Sequence, residues 1–316
     1  MYAPSIDISR RTALIGAGFA LTTLPACTLN TDYNHDAADA PRQIIVPGAR
    51  SAQPIRNVWV LSSGGPRGFV HVGILKALEE LGHQPDLIVG GSVGSLVGSL
   101  YAGGVRAKEL ERMSVELGVT DMARLALTGD GKFAGTPLAS LINRELIARC
   151  GTCEMEKLPI AFAAVAVERE SRQTVLLNHG DAGIAVQASC AIEGTFTPVR
   201  IRGMQYVDAD LVTPMPVRLA RELAVGLNGS RKSELKLLAM DASARPDAAP
   251  PGAERFRQGD LRKRELIAPD AAAAQLTLHP VMSYFVNISQ EFRLRTIEHG
   301  YTQTLAQAAR INAALH

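Results

Sequence analysis

The sequence predicts an α/β protein with a mainly parallel β-sheet covered by helices on both faces. Short apolar runs of strand length, such as Val58 to Leu61 and Leu87 to Val89, alternate with stretches of helical spacing such as Ile74, Leu75, Leu78 and Leu81. Pro159 to Val167 is almost continuously apolar, the pattern of a strand buried on both faces. The first two runs each break into a glycine-rich turn that opens a helix, so Val58 to Gly104 reads as one βαβα unit.

At 316 residues the chain is long enough for one large α/β domain or two small ones, and 47% apolar with 20% charged residues is a globular composition. A net charge of +2 without an aromatic-interleaved basic stripe gives no sign of a nucleic-acid partner. No apolar run reaches bilayer-spanning length.

Ser9-Arg10-Arg11-Thr12 reads as a charged n-region, Ala13 to Thr23 as an apolar h-region, and Leu24-Pro25-Ala26-Cys27 as a cleavage site. That site resembles a bacterial lipobox, which implies that Cys27 becomes the acylated first residue. An ordinary secretory signal with an incidental cysteine is the other reading. Leu29 is not the aspartate associated with inner-membrane retention, so the resemblance implies a lipoprotein on the periplasmic side of the outer membrane. A secreted or periplasmic protein is the alternative. Residues 1–27 are thus expected to be a signal segment, 28–56 a flexible tether and 57–316 the folded domain.

Within that domain, Ala107 to Leu117, Thr136 to Ala148 and Gly183 to Ala191 have helical character. Thr174 to Leu177, 206–212 and Leu235 to Met240 read as further strands, and Ile297, Tyr301, Leu305 and Ala308 as a last helix. Residues 243–270 shift to Pro, Ala, Arg and Asp and are expected to form a solvated loop or lid. Cys150 and Cys153 form a CxxC without the second ligand pair zinc would need, so they read as a local disulfide or two idle thiols. Cys190 reads as a buried small hydrophobe.

The chemistry gathers at the two turns. Gly90-Gly91-Ser92-Val93-Gly94 fits G-x-S-x-G, the sharp strand-to-helix elbow that lifts a nucleophile to the carboxyl end of a sheet. Ser92 would then lie at a helix N-terminus, where unpaired N–H groups favour developing negative charge. The N–H groups of Gly64 and Gly65 are candidate oxyanion donors, while Pro66 has none to give. Arg67 is expected to brace that turn, to meet a phosphate or simply to sit at the surface.

Ser63 to Gly68, His71 to Glu80, Gly90 to Gly94, Cys190 to Val199 and Asp208 to Val217 together resemble a patatin-like phospholipase, over roughly residues 57 to 242. The resemblance implies a three-layer α/β/α sandwich that hydrolyses acyl esters of lipids at a membrane or lipid surface, with no metal or diffusible cofactor. It makes Asp208 the dyad partner of Ser92 and needs no histidine. Its motif positions are Ser63, Gly64, Gly65, Arg67 and Gly68 in the first turn, Gly90 and Gly94 around the serine, and Ala209 and Asp210 after the aspartate.

Three residues depart from the family pattern. Ser63 replaces the first glycine of the turn and would be strained if that position needed positive φ. Glu193 stands where proline is usual. Asp210 replaces a small residue and is expected to raise the pKa of one of the two aspartates. A free aspartate near pKa 3.9 is a poor base at neutral pH, so Asp208 is expected to be desolvated and held against the Ser92 hydroxyl. The chain order Ser92, Asp208 and then His279 or His299 leaves a Ser-His-Asp site open as well. So does a degenerate site on a lipid-binding envelope protein. His71, in the first helix, is expected to be structural.

Overall fold

Alternate residues of the strand Asn57–Leu61 enter two different cores: Trp59 and Leu61 one, Val58 and Val60 the other. A strand buried on both faces belongs between two helical layers. This computed structural model describes residues 33–47, 54–126, 130–245, 247 and 249–315. The expected signal segment and Cys27 lie outside the described residues.

The strands are β1 (Asn34–His35), β2 (Asn57–Leu61), β3 (Leu87–Gly91), β4 (Arg124–Leu125), β5 (Phe133–Ala134) and β6 (Ala161–Glu168). They continue with β7 (Thr174–Leu177), β8 (Val199–Ile201), β9 (Met204–Asp208), β10 (Lys236–Met240) and β11 (Leu276–Leu278). The helices are α1 (Val70–Glu80), α2 (Val93–Ala102), α3 (Ala107–Glu116), α4 (Val119–Met122) and α5 (Thr136–Cys150). They are followed by α6 (Ala182–Ser189), α7 (Val217–Asn228), α8 (Glu254–Ala273), α9 (Gln290–Leu305) and α10 (Ala308–Leu315).

The main sheet runs β1-β8-β9-β6-β3-β2-β10-β11, with β7 also on β6. From β6 to β11 every neighbouring pair is parallel, whereas β7 and β9 run antiparallel to β6. Side chains of α1, α2, α3, α5, α6, α9 and α10 fill the core on one face, and those of α7 and α8 the core on the other. The result is the expected three-layer α/β/α sandwich around a mainly parallel sheet. Adjacent β2 and β3 are joined by α1, so their carboxyl ends, and the two turns that follow, lie side by side.

The structure departs from the sequence reading in several places. Part of the expected tether is built into the domain: β1 pairs with β8, Ala40 is buried, and the Ile44 N–H donates to Asn178 Oδ1 at 2.8 Å. A two-residue strand leaves no periodicity to read. Much of the expected loop at 243–270 is α8, which is polar nearly all round and buries only Ile267 and Asp270. With Pro269 inside it and no apolar stripe, it lacks the usual helix signal. Tertiary anchors hold it instead, among them Asp270, which accepts from the backbone N–H of Arg218 at 2.8 Å. The strand expected at 206–212 stops at Asp208, where the chain turns and the Val212 N–H returns to the Ala209 carbonyl. Cys150 and Cys153, by contrast, are free thiols, one of the two states expected for them.

Candidate active site

The serine turn is a strained elbow. Ser92 has φ 51° and ψ −126°, a region that side-chain-bearing residues rarely occupy. Its neighbours show what over-determines that conformation. A Cβ on Gly94 would lie 2.4 Å from the Leu61 carbonyl oxygen and 2.7 Å from that of Ser62, and one on Gly90 would lie 2.4 Å from the Gly94 carbonyl oxygen. Glycine at both positions therefore lets α2 start directly against the ends of β2 and β3. The Ser92 N–H donates to Ser189 Oγ at 2.9 Å, and Ser189 Oγ–H donates to the Val165 carbonyl at 2.6 Å. The elbow is thus tied through α6 to the central strand β6.

The glycine turn is pinned on both sides of its free donors. Ser62 N–H donates to the Met240 carbonyl at 3.0 Å, Ser63 N–H to the Pro214 carbonyl at 2.9 Å, and Ala242 N–H to Ser62 Oγ at 2.9 Å. Beyond these ties, Gly64 and Gly65 donate their N–H groups to no acceptor among the described residues. Gly65 takes φ +52°, where glycine is at ease. Ser63 is not among the positive-φ residues, so its replacement of glycine brings no strain of that kind. His71 is fully buried and its Nε2 lies 2.9 Å from the Ser62 carbonyl oxygen. Burial pushes its pKa down to about 4, so at neutral pH it is an uncharged brace for the turn. Arg67 donates to the Tyr284 carbonyl and its guanidinium lies 5.8 Å from the Tyr284 ring, which makes it a brace as well.

Asp208 ends β9 and is buried, with its N–H held by the Ala191 carbonyl at 2.9 Å. Its Oδ1 accepts from the Asp210 N–H at 2.8 Å. Its Oδ2 is buried without a partner in hydrogen-bonding geometry. Burial raises the Asp208 pKa to about 7; the adjacent Ser92 hydroxyl opposes that rise most, Asp210 adds to it and Lys263 opposes it. Among the described residues, the groups acting on the carboxyl are Ser92, Asp210 and Lys263, and none is a histidine. His279 is engaged elsewhere: Nδ1 lies 3.3 Å from Asp241 Oδ2 and Nε2 lies 3.0 Å from the Ser243 carbonyl oxygen. His299 sits within α9.

The departures have partners. Ser63 Oγ donates to Asp210 Oδ1, and Lys263 Nζ from α8 pairs with the same oxygen. Glu193 pairs with Arg172 at 2.8 Å and Arg169 at 3.4 Å, fastening its loop to the β6–β7 connection. In sequence Lys263 reads only as one of a basic cluster at the surface or against anionic lipid, because its helix shows no apolar stripe to place it at the site. Ser189 had no signal in sequence, being one of several small residues in an alanine-rich run.

A groove of about 1000 Å³, open mouth included, passes Ser92, Gly65 and Pro66. Its walls are mostly apolar, with Phe69, Val93, Leu96, Leu138 and Phe196 among them. Cys190 packs against the core as expected and also lines the groove with Ser92, and burial raises its thiol pKa.

A parallel α/β sheet with a strained serine elbow, an adjacent glycine turn and a buried carboxyl defines the class of serine-elbow α/β proteins. The family model described as patatin-like phospholipase matches residues 59–221, and the chain belongs to that family. It is 32% identical over 197 residues to an uncharacterized NTE family protein of Mycobacterium bovis, a match covering 60% of this chain and 53% of that one. It is 28% identical over 201 residues to a protein named lysophospholipase NTE1 of Coccidioides immitis, covering 61% of this chain and 12% of that one. The chain therefore spans about half or less of the length of these relatives. Among solved structures it resembles VipD from Legionella pneumophila, with TM-score 0.51 and 13% identity over 86% of this chain and 71% of that one.

Proposed function

We propose that the protein is a serine acyl hydrolase that cleaves lipid esters through Ser92 and Asp208. The observation that carries this reading is the buried Asp208 carboxyl next to the Ser92 hydroxyl, with Oδ2 bonded to no other group among the described residues and a pKa that burial lifts to about 7. A base works best with a pKa near the working pH, and this carboxylate has a free oxygen for the proton. Asp208 takes the Ser92 proton as Oγ attacks the ester carbonyl, and the oxyanion is held by the N–H groups of Gly64 and Gly65. Collapse expels the alcohol, protonated by Asp208. Water, deprotonated by the same carboxylate, then attacks the acyl-enzyme and releases the acid. The apolar groove at Ser92 suits a long acyl chain. The lysophospholipase name of the fungal relative makes single-chain phospholipids the first substrates to try.

Turnover of nitrophenyl esters and a lysophospholipid by Asp208→Asn, His279→Ala and His299→Ala tests the dyad. Loss in the first and retention in the other two is expected. Retention in Asp208→Asn with loss in either histidine variant overturns the dyad.

The lipobox-like Leu24 to Cys27 supports a second part of the proposal, an acyl anchor on Cys27 that holds the enzyme at the periplasmic face of the outer membrane. Incorporation of a labelled fatty acid, abolished in Cys27→Ser, is the expected result. Equal incorporation in the variant contradicts it.

A further inference from the structure

The mouth of the groove is rimmed by apolar side chains that face solvent. Val119, Ile192 and Ile288 line the groove and yet are exposed, Ile288 at 57%. Next to them stands the small sheet β4–β5, whose Leu125 and Phe133 are paired and exposed at 68% and 37%. This sheet is fastened to the mouth. The N–H groups of Lys132 and Phe133 donate to the Thr195 carbonyl at 2.9 and 3.0 Å, and the Phe133 ring packs 6.2 Å from that of Phe196, a groove residue. Three residues before Ile288 in the chain, exposed Phe285 packs edge-on against Tyr284.

Charge accompanies the apolar residues. Arg124 and Lys132 flank Leu125 and Phe133 in the chain and are exposed. The acidic groups nearby are already committed: Asp130 to Arg169 at 2.5 Å, and Asp121 to the Gly118 N–H at 2.7 Å. Exposed Leu and Phe beside cations that have no ion-pair partner among the described residues form the pattern of a segment that settles into a headgroup layer. A contiguous exposed apolar rim marks an interaction surface, and the cations beside it favour an anionic bilayer as the occupant.

We infer that β4–β5 and the segment around Phe285 form a docking face for the surface of a bilayer that carries anionic lipid. Docked there, the groove opens directly onto the acyl region, so an acyl chain passes to Ser92 without crossing water. The inference rests on the acyl-hydrolase reading for what enters the groove, but docking itself needs no turnover.

The test uses the full chain with Cys27→Ser, which removes any acyl anchor, and Ser92→Ala, which stops hydrolysis. Trp59 is the chain's one tryptophan and is wholly buried, so Leu125→Trp supplies a clean reporter. On phosphatidylglycerol–phosphatidylethanolamine vesicles its emission should shift to the blue and be quenched by brominated acyl chains. Arg124→Gln with Lys132→Gln should weaken that partitioning by roughly thirtyfold. Leu125→Asp with Phe285→Asp should abolish cosedimentation with the vesicles. With Ser92 retained, the same aspartate pair should keep turnover of a short soluble ester, which shows that it folds. Reporter emission unmoved by vesicles overturns the inference. So does a dimer, seen by sedimentation without vesicles, that the aspartate pair dissociates, since the face would then be an interface between copies. If wild-type protein turned over no ester while the reporter still inserted, the hydrolase reading would fail and the docking face would stand.

Discussion

The Ser63 hydroxyl donates to Asp210 Oδ1, the oxygen that also binds Lys263. Two residues that each break the family pattern are therefore partners of one another. Asp210 in turn gives its N–H to Asp208. The Asp210 carboxylate is paired with Lys263, while its backbone N–H helps hold the Asp208 carboxyl in place.

This arrangement sets a pH profile. As the proposed base, Asp208 would act deprotonated, so kcat/KM should rise with pH to a plateau above about 7. Asp210 raises the Asp208 pKa and Lys263 lowers it. Asp210→Asn should move the acid limb to lower pH by roughly 1 pH unit, and Lys263→Met should move it to higher pH by a similar amount. Rate profiles on a soluble ester check both signs.

Asp208 also links stability to pH. Its folded pKa, about 7, lies above the ordinary 3.8, so its contribution is fully present below about 4 and is lost as pH rises through 7. At about 1.4 kcal/mol per pH unit this reaches about 4 kcal/mol. Asp208→Asn should therefore melt higher than wild type at pH 8, with the gap closing towards pH 4. Thermal melts across that range provide the check.

Much of the site was legible because the turns need particular residues. Gly90 and Gly94 are required by contacts that a Cβ would break, and the aspartate closes a strand with readable apolar character. Lys263, Ser189 and β1 were not legible. Lys263 lies on a helix with no apolar stripe, Ser189 acts through one hydroxyl in an alanine-rich helix, and β1 is two residues long. Each gains its place from tertiary contacts that leave no local pattern.

The role of Ser189 is open to test. Ser189→Ala leaves the Ser92 N–H buried without its acceptor, which should cost about 1–3 kcal/mol of stability. The strained elbow should relax and kcat should fall, while Ser189→Thr, which keeps the hydroxyl, should recover part of both. Denaturant unfolding and ester turnover measure the two effects.

Gly94→Ala places a methyl against the Leu61 and Ser62 carbonyl oxygens. Backbone cannot move aside as a side chain does, so a loss of roughly 1–3 kcal/mol or more is expected. The elbow would be driven off the glycine turn, and turnover should fall by more than the unfolded fraction explains. Melting temperature and kcat, measured on the same preparation, separate the two losses.

Reaction of the protein with a fluorophosphonate, followed by peptide mass spectrometry, tests the central claim most directly. The account predicts one adduct, on Ser92, absent from Ser92→Ala and formed far more slowly in Asp208→Asn. A folded wild-type chain that takes no label, or an adduct that persists in Ser92→Ala, would contradict it.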